Sequence, residues 1–341
     1  MQYKDVLTLL LERQDIPREA MLSTMRTLMS GAHTPAQIAG FLIALRMKGE
    51  SVVEIAAAAE VMRDLSVKVP LAGVEYLVDT CGTGGDGART FNISTAAAFV
   101  AAACGARVAK HGGRSVSSSS GSADVLEALG VNVNLAPEKV AEAVKDIGVG
   151  FMFAPNYHAA MKHAAPVRKE LGVRTLFNLL GPLTNPAGAP NQVLGVFDPA
   201  LAGKLARGLQ ALGSRHVLAV HAEEGLDELS LASPTFVAEL KGGHVTEYTL
   251  EPGVFGLPQV AAMEMSVSGV EEAKTMLQAA LENRHPGAAA IVALNAGAAI
   301  YVAGKADSLQ GGVAQAKTAI ESGAARGKLA DYAEFSHKAE Q

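Results

Sequence analysis

The chain has 341 residues, of which 49% are hydrophobic and 18% are charged, and its net charge is −5. This composition supports a large buried core and excludes an intrinsically disordered protein, and the length suggests about two domains. The acidic balance argues against nucleic-acid binding, which usually requires a basic surface.

The first 66 residues carry the local signals of four helices. Apolar residues recur at helical spacing from Val6 to Leu11. Thr34-Pro35 is typical of an N-cap followed by the first helical residue, and Ser51-Val52-Val53-Glu54 matches a capping box. Four short helices cannot bury all their faces against one another. The remaining apolar face could pack on a larger domain, but we expect it to form a homodimer interface.

From residue 74 onward, strand-like and helix-like segments alternate. The predicted strands are 76–79, 107–110, 149–153, 192–197 and 216–221. The predicted helices between them are 94–104, 122–129, 137–147 and 199–212. An antiparallel hairpin is expected near 234–249 and further helices from 269. Such alternation predicts an α/β fold with a mostly parallel central sheet.

The predicted organisation is a small all-α N-terminal domain hinged to a larger α/β domain. The first comprises residues 1–72, joined by helices around 165–186, and the second residues 73–341. The apolar runs 95–109 and 286–303 are too short, or too interrupted by Asn and Gly, for membrane helices. The N-terminus does not resemble a signal peptide, and Cys81 and Cys104 do not suggest a disulfide framework. We therefore expect a cytoplasmic protein without a membrane partner.

The loop after the first predicted strand, 82–87, has the glycine spacing of a dinucleotide-binding motif. In that motif the strand leads directly into a helix, and an acidic residue about 20 positions later binds the ribose. Here the helix begins late, with Asn92 or Ser94 as its candidate cap, and the next strand ends in the basic pair Lys110-His111. The Gly-Lys-Ser/Thr ending of a P-loop is missing as well. The loop is therefore interpreted as a different kind of phosphate site.

The start of the following helix leaves two roles open for its hydroxyl groups. Ser94 and Thr95 could simply cap the helix, or they could bind phosphate or metal-bound water. Asp86 is unexpected in a loop that attracts anions, unless it faces a hydroxyl, an amine or a cation.

A second polar loop, 109–124, follows the next strand and combines Lys110, His111 and Arg114 with the serine run 117–120. A serine run is commonly just a solvated loop. However, ligands of open parallel sheets bind at the C-terminal ends of the strands, where both loops are predicted to meet. Two such loops would suit a ligand with two anionic groups.

The adjacent carboxylates Asp227 and Glu228 follow the strand predicted at 216–221. Such a pair is most often a solvated surface feature. Beside a phosphate pocket it is also typical of Mg²⁺, which prefers one or two carboxylates together with substrate phosphate and water. No zinc-type cluster and no Gly-x-Ser-x-Gly element of a serine hydrolase is evident in the sequence.

Several motifs, in order along nearly the whole chain, resemble those of the anthranilate phosphoribosyltransferases. They are Gly82-Thr83-Gly84-Gly85-Asp86, Asn92-x-Ser94-Thr95, Lys110-His111-Gly112-x-Arg114, Gly121-Ser122-x-Asp124, Phe177-Asn178-x-Leu180-Gly181-Pro182-Leu183-x-Asn185-Pro186 and Gly225-x-Asp227-Glu228. The resemblance implies transfer of phosphoribose from 5-phosphoribosyl-1-pyrophosphate to the amine of anthranilate, in tryptophan biosynthesis. It also implies Mg²⁺ as cofactor, with two ions.

The resemblance further implies roles for individual residues. Lys110, Asp86 and Arg168 would be catalytic, and the metal ligands would be Ser94, Asp227 and Glu228. The implied substrate-binding residues are Gly82, Thr83, Gly84, Gly85, Asp86, Thr90, Asn92, Ser94, Thr95, Lys110, His111, Gly112, Gly113, Ser117, Ser118, Ser119, Pro155, His158, Arg168, Asn178 and Gly181. Among them, the residues implied to line the anthranilate channel are Pro155, His158 and Arg168. The implied chemistry is mainly electrostatic and needs no strong general base.

One position departs from the family pattern. The family usually reads Lys-His-Gly-Asn-Arg, with the Asn contacting anthranilate, whereas this chain has Gly113 and lacks that amide donor. Two other functions stay open at this point. A pyrimidine nucleoside phosphorylase shares the general architecture but has no need of the Asp227-Glu228 pair, and a nucleic-acid-binding relative would be expected to be basic.

Overall fold

Four helices occupy residues 1–66 in the computed structural model, which describes residues 1–114 and 120–338. They are α1 (Tyr3–Leu11), α2 (Arg18–Met29), α3 (Pro35–Lys48) and α4 (Val52–Leu65). Thr34 and Ser51 cap α3 and α4, since their hydroxyls accept the backbone N–H groups of Gln37 and Glu54. The two predicted N-caps are therefore confirmed.

The strands that follow are β1 (Leu77–Asp79), β2 (Arg107–Gly112), β3 (Val149–Phe153), β4 (Asn191–Gly195), β5 (His216–Ala222), β6 (Thr235–Lys241) and β7 (His244–Leu250). Within the described residues they form one sheet in the order β3-β2-β1-β4-β5-β6-β7. The first five strands are parallel, and β6 and β7 form an antiparallel hairpin beside β5. This arrangement confirms the predicted α/β class and the predicted hairpin.

The strand order reverses at β1, and this reversal positions the site. Val78 of β1 pairs with Val108 of β2 on one side and with Asn191 of β4 on the other. The connections leaving β1 and β4 therefore run in opposite directions across the sheet and leave a crevice between them. Ligands of open α/β sheets bind at such a switch point, outside the C-terminal ends of the strands.

Eleven helices in the described residues after 66 accompany the sheet. They are α5 (Ile93–Ala103), α6 (Ser122–Ala128), α7 (Pro137–Asp146), α8 (Ala154–Tyr157), α9 (Ala165–Leu171), α10 (Leu176–Leu180), α11 (Pro199–Ala211), α12 (Val270–Leu281), α13 (Pro286–Val302), α14 (Leu309–Glu321) and α15 (Ala324–Lys338). In the part of the chain that the structure describes, no single helix is long and apolar enough to cross a membrane. The pair α12 and α13 meets that criterion only together, with a bend of 77° between them.

The hydrophobic side chains lie on opposite faces of the sheet. Along β4, Val193 belongs to the cluster formed with α5, α12 and α13, while Leu194 belongs to the cluster that contains α1 to α4. The second cluster continues from Val6 in α1 through Leu180 in α10 to Val217 in β5. The N-terminal helices thus share one core with α9, α10, α11 and one face of the sheet.

Strand β3 forms one edge of the sheet, and α15 lies against it. The backbone N–H of Phe151 donates a hydrogen bond of 2.8 Å to the Tyr332 hydroxyl, which comes 181 residues later in the chain. Nearby, the N–H of Asn132 donates to the Ser336 hydroxyl at 3.0 Å. The C-terminal helix therefore satisfies backbone donors that the sheet leaves without a strand partner.

Candidate active site

The glycine loop after β1 lies against the end of β4. The Thr83 N–H donates to the Gly195 carbonyl at 2.8 Å, and the Thr83 hydroxyl accepts from the Phe197 N–H at 3.1 Å. This second contact explains why β4 ends at Gly195 and not at the predicted residue 197, because Phe197 bonds to the loop instead of a strand. Helix α5 begins at Ile93 with Asn92 as N-cap, so the late helix start is confirmed.

Lys110 carries a positive charge into the crevice from the end of β2. Only 3% of the residue is exposed, and its ammonium donates to the carbonyl and hydroxyl oxygens of Thr80 and to the Ser94 hydroxyl. Burial raises the pKa of nearby Asp79 to about 6, and the attraction of Lys110 opposes this rise. The buried cation lies beside the N-terminus of α5, and both features favour a bound anion.

Asp227 and Glu228 lie directly across from the glycine loop and Ser94. The Asp227 carboxylate accepts the Gly84 N–H at 2.9 Å, and the Asp86 carboxylate accepts the Asp227 N–H at 3.4 Å. Glu228 is hydrogen-bonded to Ser94. Burial and the neighbouring charges of Asp86 and Glu228 raise the pKa of Asp227 well above its usual range. Burial likewise raises the pKa of Glu228, against the attraction of Lys110.

This donor set fits a divalent cation that is completed by a ligand. Burial and neighbouring carboxylates raise the pKa values of Asp227 and Glu228, and a cation would relieve the repulsion between these groups. In the described part of the chain, no group of three or more His, Cys, Asp or Glu side chains is arranged to hold a metal. Mg²⁺ usually takes one or two carboxylates and fills its remaining positions with phosphate and water. The structure brings together the predicted ligands Ser94, Asp227 and Glu228 around one small cavity.

Asp227, the first residue of the acidic pair, packs directly against the backbone of β4 at Gly195. A Cβ at this position would lie 1.6 Å from the Asp227 carbonyl oxygen. At Gly82, across the same contact, a Cβ would lie 3.0 Å from the Asp227 carboxylate. The approach of Asp227 to the strand end therefore requires glycine at position 195.

The serine-rich loop reaches the N-terminus of α5. Ser117, Ser118 and Ser119 lie outside the described residues, but Ser120 exchanges two hydrogen bonds with the Asn92 side chain, at 3.1 and 2.9 Å. The Thr95 hydroxyl is engaged by another residue of the protein. It is buried and donates to Ser122 at 3.1 Å, so it links α5 to α6.

The backbone at Gly113, where the family usually has asparagine, has space beside it. A Cβ at Gly113 would meet no atom of the described residues within 4 Å, whereas at Gly112 it would lie 3.0 Å from the Phe151 ring. The following Arg114 turns away to α6, where it pairs with the carboxylates of Asp124 and Glu127. A Cβ at 113 would therefore fit without displacing any described neighbour.

Two buried histidines, His111 near the end of β2 and His158 after α8, face each other. The Nε2 atoms of His111 and His158 lie 3.2 Å apart, and burial lowers the pKa of these rings to about 3 and about 4. Both are therefore neutral at pH 7. Their Nδ1 atoms have no hydrogen-bond partner among the described residues, which leaves them available to a polar ligand.

The remaining implied binding residues have the following places. Arg168 on α9 stacks over the Phe177 ring at 5.3 Å, and burial lowers its pKa. Pro155 is exposed on α8, and the Asn178 side chain accepts the Thr175 N–H at the start of α10. The last two are Gly181, whose backbone is beside His111, and Thr90, which forms a β-bridge to Ser266.

Two residues that contact the site were not predicted from the sequence. The Arg174 guanidinium donates to the Gly85 carbonyl and lies 3.9 Å from the centre of the Phe197 ring. It therefore stabilises the glycine loop. Asn295 on α13 lines the small cavity that also contains Ser94, Asp227 and Glu228. In the sequence, the feature that could have indicated Asn295 is its position as a lone amide within an apolar helical segment.

Comparisons with known proteins agree with this geometry. Residues 4–66 match the helical bundle domain of a glycosyl transferase family, and residues 75–326 match its a/b domain. The anthranilate phosphoribosyltransferase of Laribacter hongkongensis is 58% identical over 336 residues, covering 98% of each chain.

Two solved structures are also similar to the chain. The anthranilate phosphoribosyltransferase of Thermus thermophilus has a TM-score of 0.91 and 44% identity, over 98% of this chain and 99% of that one. The Saccharomyces cerevisiae enzyme in complex with PRPP and Mg has a TM-score of 0.82 and 28% identity, over 94% and 92%. The protein with the Thr83 loop, the buried Lys110 and the Asp227-Glu228 pair belongs to the anthranilate phosphoribosyltransferase family.

Proposed function

We propose that this protein transfers phosphoribose from 5-phosphoribosyl-1-pyrophosphate (PRPP) to the amino nitrogen of anthranilate. The products are N-(5-phosphoribosyl)anthranilate and pyrophosphate, in tryptophan biosynthesis. One observation carries the proposal: the glycine loop, Lys110 and the Asp227-Glu228 pair meet at the switch point of the sheet. A site with a cation, a helix N-terminus and paired carboxylates suits a sugar pyrophosphate.

The residues on the phosphate side stabilise the departing group. The bond between C1 of the ribose and the pyrophosphate oxygen breaks, and its electron pair leaves with the pyrophosphate. Lys110 and the N-terminus of α5 are fixed where this negative charge grows, so they need little rearrangement during the reaction. Asp86, whose carboxylate accepts the Asp227 N–H, would face the ribose.

Ser94, Asp227 and Glu228 would hold Mg²⁺. The bound metal would supply positive charge to the leaving pyrophosphate. The yeast relative whose structure contains PRPP and Mg supports the use of Mg²⁺. Two ions are proposed because the charges of Asp86, Asp227 and Glu228, together with a pyrophosphate, exceed what one divalent cation neutralises.

Anthranilate is proposed to bind on the His111 and His158 side. Its aromatic amine is unprotonated at pH 7, so its lone pair forms the new bond to C1 and the nitrogen then releases a proton to water. A strong general base is not required, which agrees with the lowered pKa of both imidazoles, since a low pKa makes them weak bases. The Arg168 guanidinium would pair with the anthranilate carboxylate.

A homodimer through the N-terminal helices is proposed, in the cytoplasm and without a membrane or nucleic-acid partner. Leu11 and Met47 support it, since they are 73% and 74% exposed. Light scattering should give twice the chain mass for the wild type, and Leu11→Lys with Met47→Lys should shift the protein toward monomer. Met263→Lys, at another exposed apolar residue, serves as control. A wild-type monomer would contradict the proposal.

The catalytic proposal is tested with the purified protein, PRPP, anthranilate and MgCl₂. Mass spectrometry should detect phosphoribosyl-anthranilate, and EDTA or Asp227→Asn should stop its formation. No turnover by a folded protein would refute the proposal. Phosphorolysis of a pyrimidine nucleoside, or a salt-sensitive gel shift with nucleic acid, would instead support one of the two alternative functions.

A further inference from the structure

Helix α13 contains one amide side chain among apolar and small residues. Asn295 is 2% exposed, and most of the residues around it on PGAAAIVALNAGAAIYV are fully buried. A buried amide costs free energy unless it is hydrogen-bonded. The Asn295 Oδ1 accepts the Leu229 N–H at 2.9 Å, and its Nδ2 donates to the carbonyls of Leu229 and Ile291, both at 3.0 Å.

These contacts hold the residue that directly follows Glu228. Asn295 bonds to both backbone groups of Leu229, as a neighbouring strand would. Strand β5 has ended at Ala222, so the segment through Leu229 has no place in the sheet ladder there. The Asn295 side chain therefore substitutes for a strand partner.

The same side chain lies beside the acidic pair. Asn295 lines the small cavity with Ser94, Asp227 and Glu228. The carboxylates of Asp227 and Glu228 repel each other and also repel Asp86, so they stay close only if their backbone is held. The buried amide provides this restraint at Leu229, the residue next to Glu228.

We propose that Asn295 is a positioning residue that fixes the Asp227-Glu228 carboxylates for divalent-cation binding in the presence of PRPP. This inference rests on the proposed function. It differs from a purely structural role, in which the amide would contribute to stability without changing the affinity for metal.

Three variants separate the two roles. Asn295→Leu removes all three hydrogen bonds with little change in volume, and Asn295→Asp keeps an acceptor for the Leu229 N–H. Asn191→Leu is the matched control, because Asn191 is also buried and bonds through its amide to a backbone carbonyl, that of Leu77 at 2.8 Å. Asn191 lies at the start of β4, whereas Gly195 beneath Asp227 ends that strand.

The measurement is a calorimetric titration of MgCl₂ into each protein at saturating PRPP, with the melting temperature recorded separately. We expect Asn295→Leu to weaken Mg²⁺ binding about tenfold or more, as losses of residues that orient metal ligands do. Asn295→Asp should weaken it less, and Asn191→Leu should lower the melting temperature alone.

Each result decides between the roles. If the Mg²⁺ affinity of Asn295→Leu is within about twofold of the wild-type affinity, the positioning role is wrong. If Asn295→Leu does not fold, the Mg²⁺ affinity of Asn295→Asp decides the question. Equal weakening in Asn191→Leu would also overturn the role. Absence of Mg²⁺ binding by wild type with PRPP would refute the proposed function itself, which a failure of Asn295 alone would not.

Discussion

Gly113 stands where the family usually has asparagine, and a Cβ there would contact none of the described residues. We expect Gly113→Asn to lower the KM for anthranilate about two- to tenfold, since one hydrogen bond contributes about 0.5–1.5 kcal/mol. The KM for PRPP should not change. Steady-state kinetics with each substrate varied would measure both.

Gly112→Ala is the steric control for this prediction, because its Cβ would press on the Phe151 ring. It should lower stability without improving anthranilate binding. An unchanged anthranilate KM in Gly113→Asn would mean that another group already makes the missing contact.

Gly195 should tolerate no side chain, although it bears no functional group. Alanine there would place its Cβ 1.6 Å from the Asp227 carbonyl, so either β4 or the acidic segment must move. We expect Gly195→Ala to cost about 1–3 kcal/mol or more of stability and to remove most activity. Urea unfolding and kcat measure the two effects. Gly253→Ala, where a Cβ meets nothing within 4 Å, should leave both unchanged.

Among the helices and strands, some ends could be predicted from the sequence and others could not. The starts of α3 and α4 were predictable because Thr34 and Ser51 cap them through contacts only three residues away. The end of β4 was not, because it depends on a bond between Phe197 and Thr83, 114 residues apart.

The same distinction applies to the site. Lys110 and the Asp227-Glu228 pair could be placed together because parallel strands present their C-terminal ends at one edge. Arg174 and Asn295 escaped prediction because they bond to backbone atoms, of Gly85 and Leu229. A backbone carbonyl or N–H has no signature in the sequence.

Helix α15 should stabilise the sheet through one hydroxyl. Tyr332→Phe leaves the buried Phe151 N–H without its acceptor, and we expect a loss of about 1–3 kcal/mol in the free energy of unfolding. Tyr157→Phe is the matched control. Its buried hydroxyl has no hydrogen-bond partner among the described residues, so its removal should be neutral or stabilising. Equal losses in the two variants would contradict this assignment.

The hydrogen-bonded cluster around Glu239 on β6 should make the free energy of unfolding depend on pH in the acid range. Burial favours a raised pKa for Glu239, but hydrogen bonds from His216, Tyr248 and Tyr301 outweigh it and lower the pKa from 4.5 to about 2. The ionised form therefore stabilises the fold above pH 4.5, and this contribution is lost as the pH falls toward 2.

Glu239→Gln should flatten the stability profile in that window. Chemical unfolding at several pH values between 4.5 and 2 would measure the slope. Glu271→Gln, on the exposed surface of α12, serves as control. A wild-type slope retained in Glu239→Gln would show that another group is responsible.

The whole molecule should unfold as one unit, although two family domains match it. The N-terminal helices share a hydrophobic cluster with α10, α11 and one face of the sheet. Separating them would expose that face, so neither part should remain folded alone. We expect a single calorimetric transition whose van't Hoff and calorimetric enthalpies agree. An early transition confined to residues 1–66 would contradict this expectation.

The hydrogen bond between β3 and α15 also sets the order of events during synthesis. When Phe151 is added at the ribosome, the tyrosine that closes this edge is still 181 residues from being added. An open sheet edge can pair with other chains, so the nascent protein exposes an aggregation-prone strand until α15 is made. Completion of the α/β domain is therefore a late event, and chaperones that shield strand edges should bind the growing chain until α15 is made.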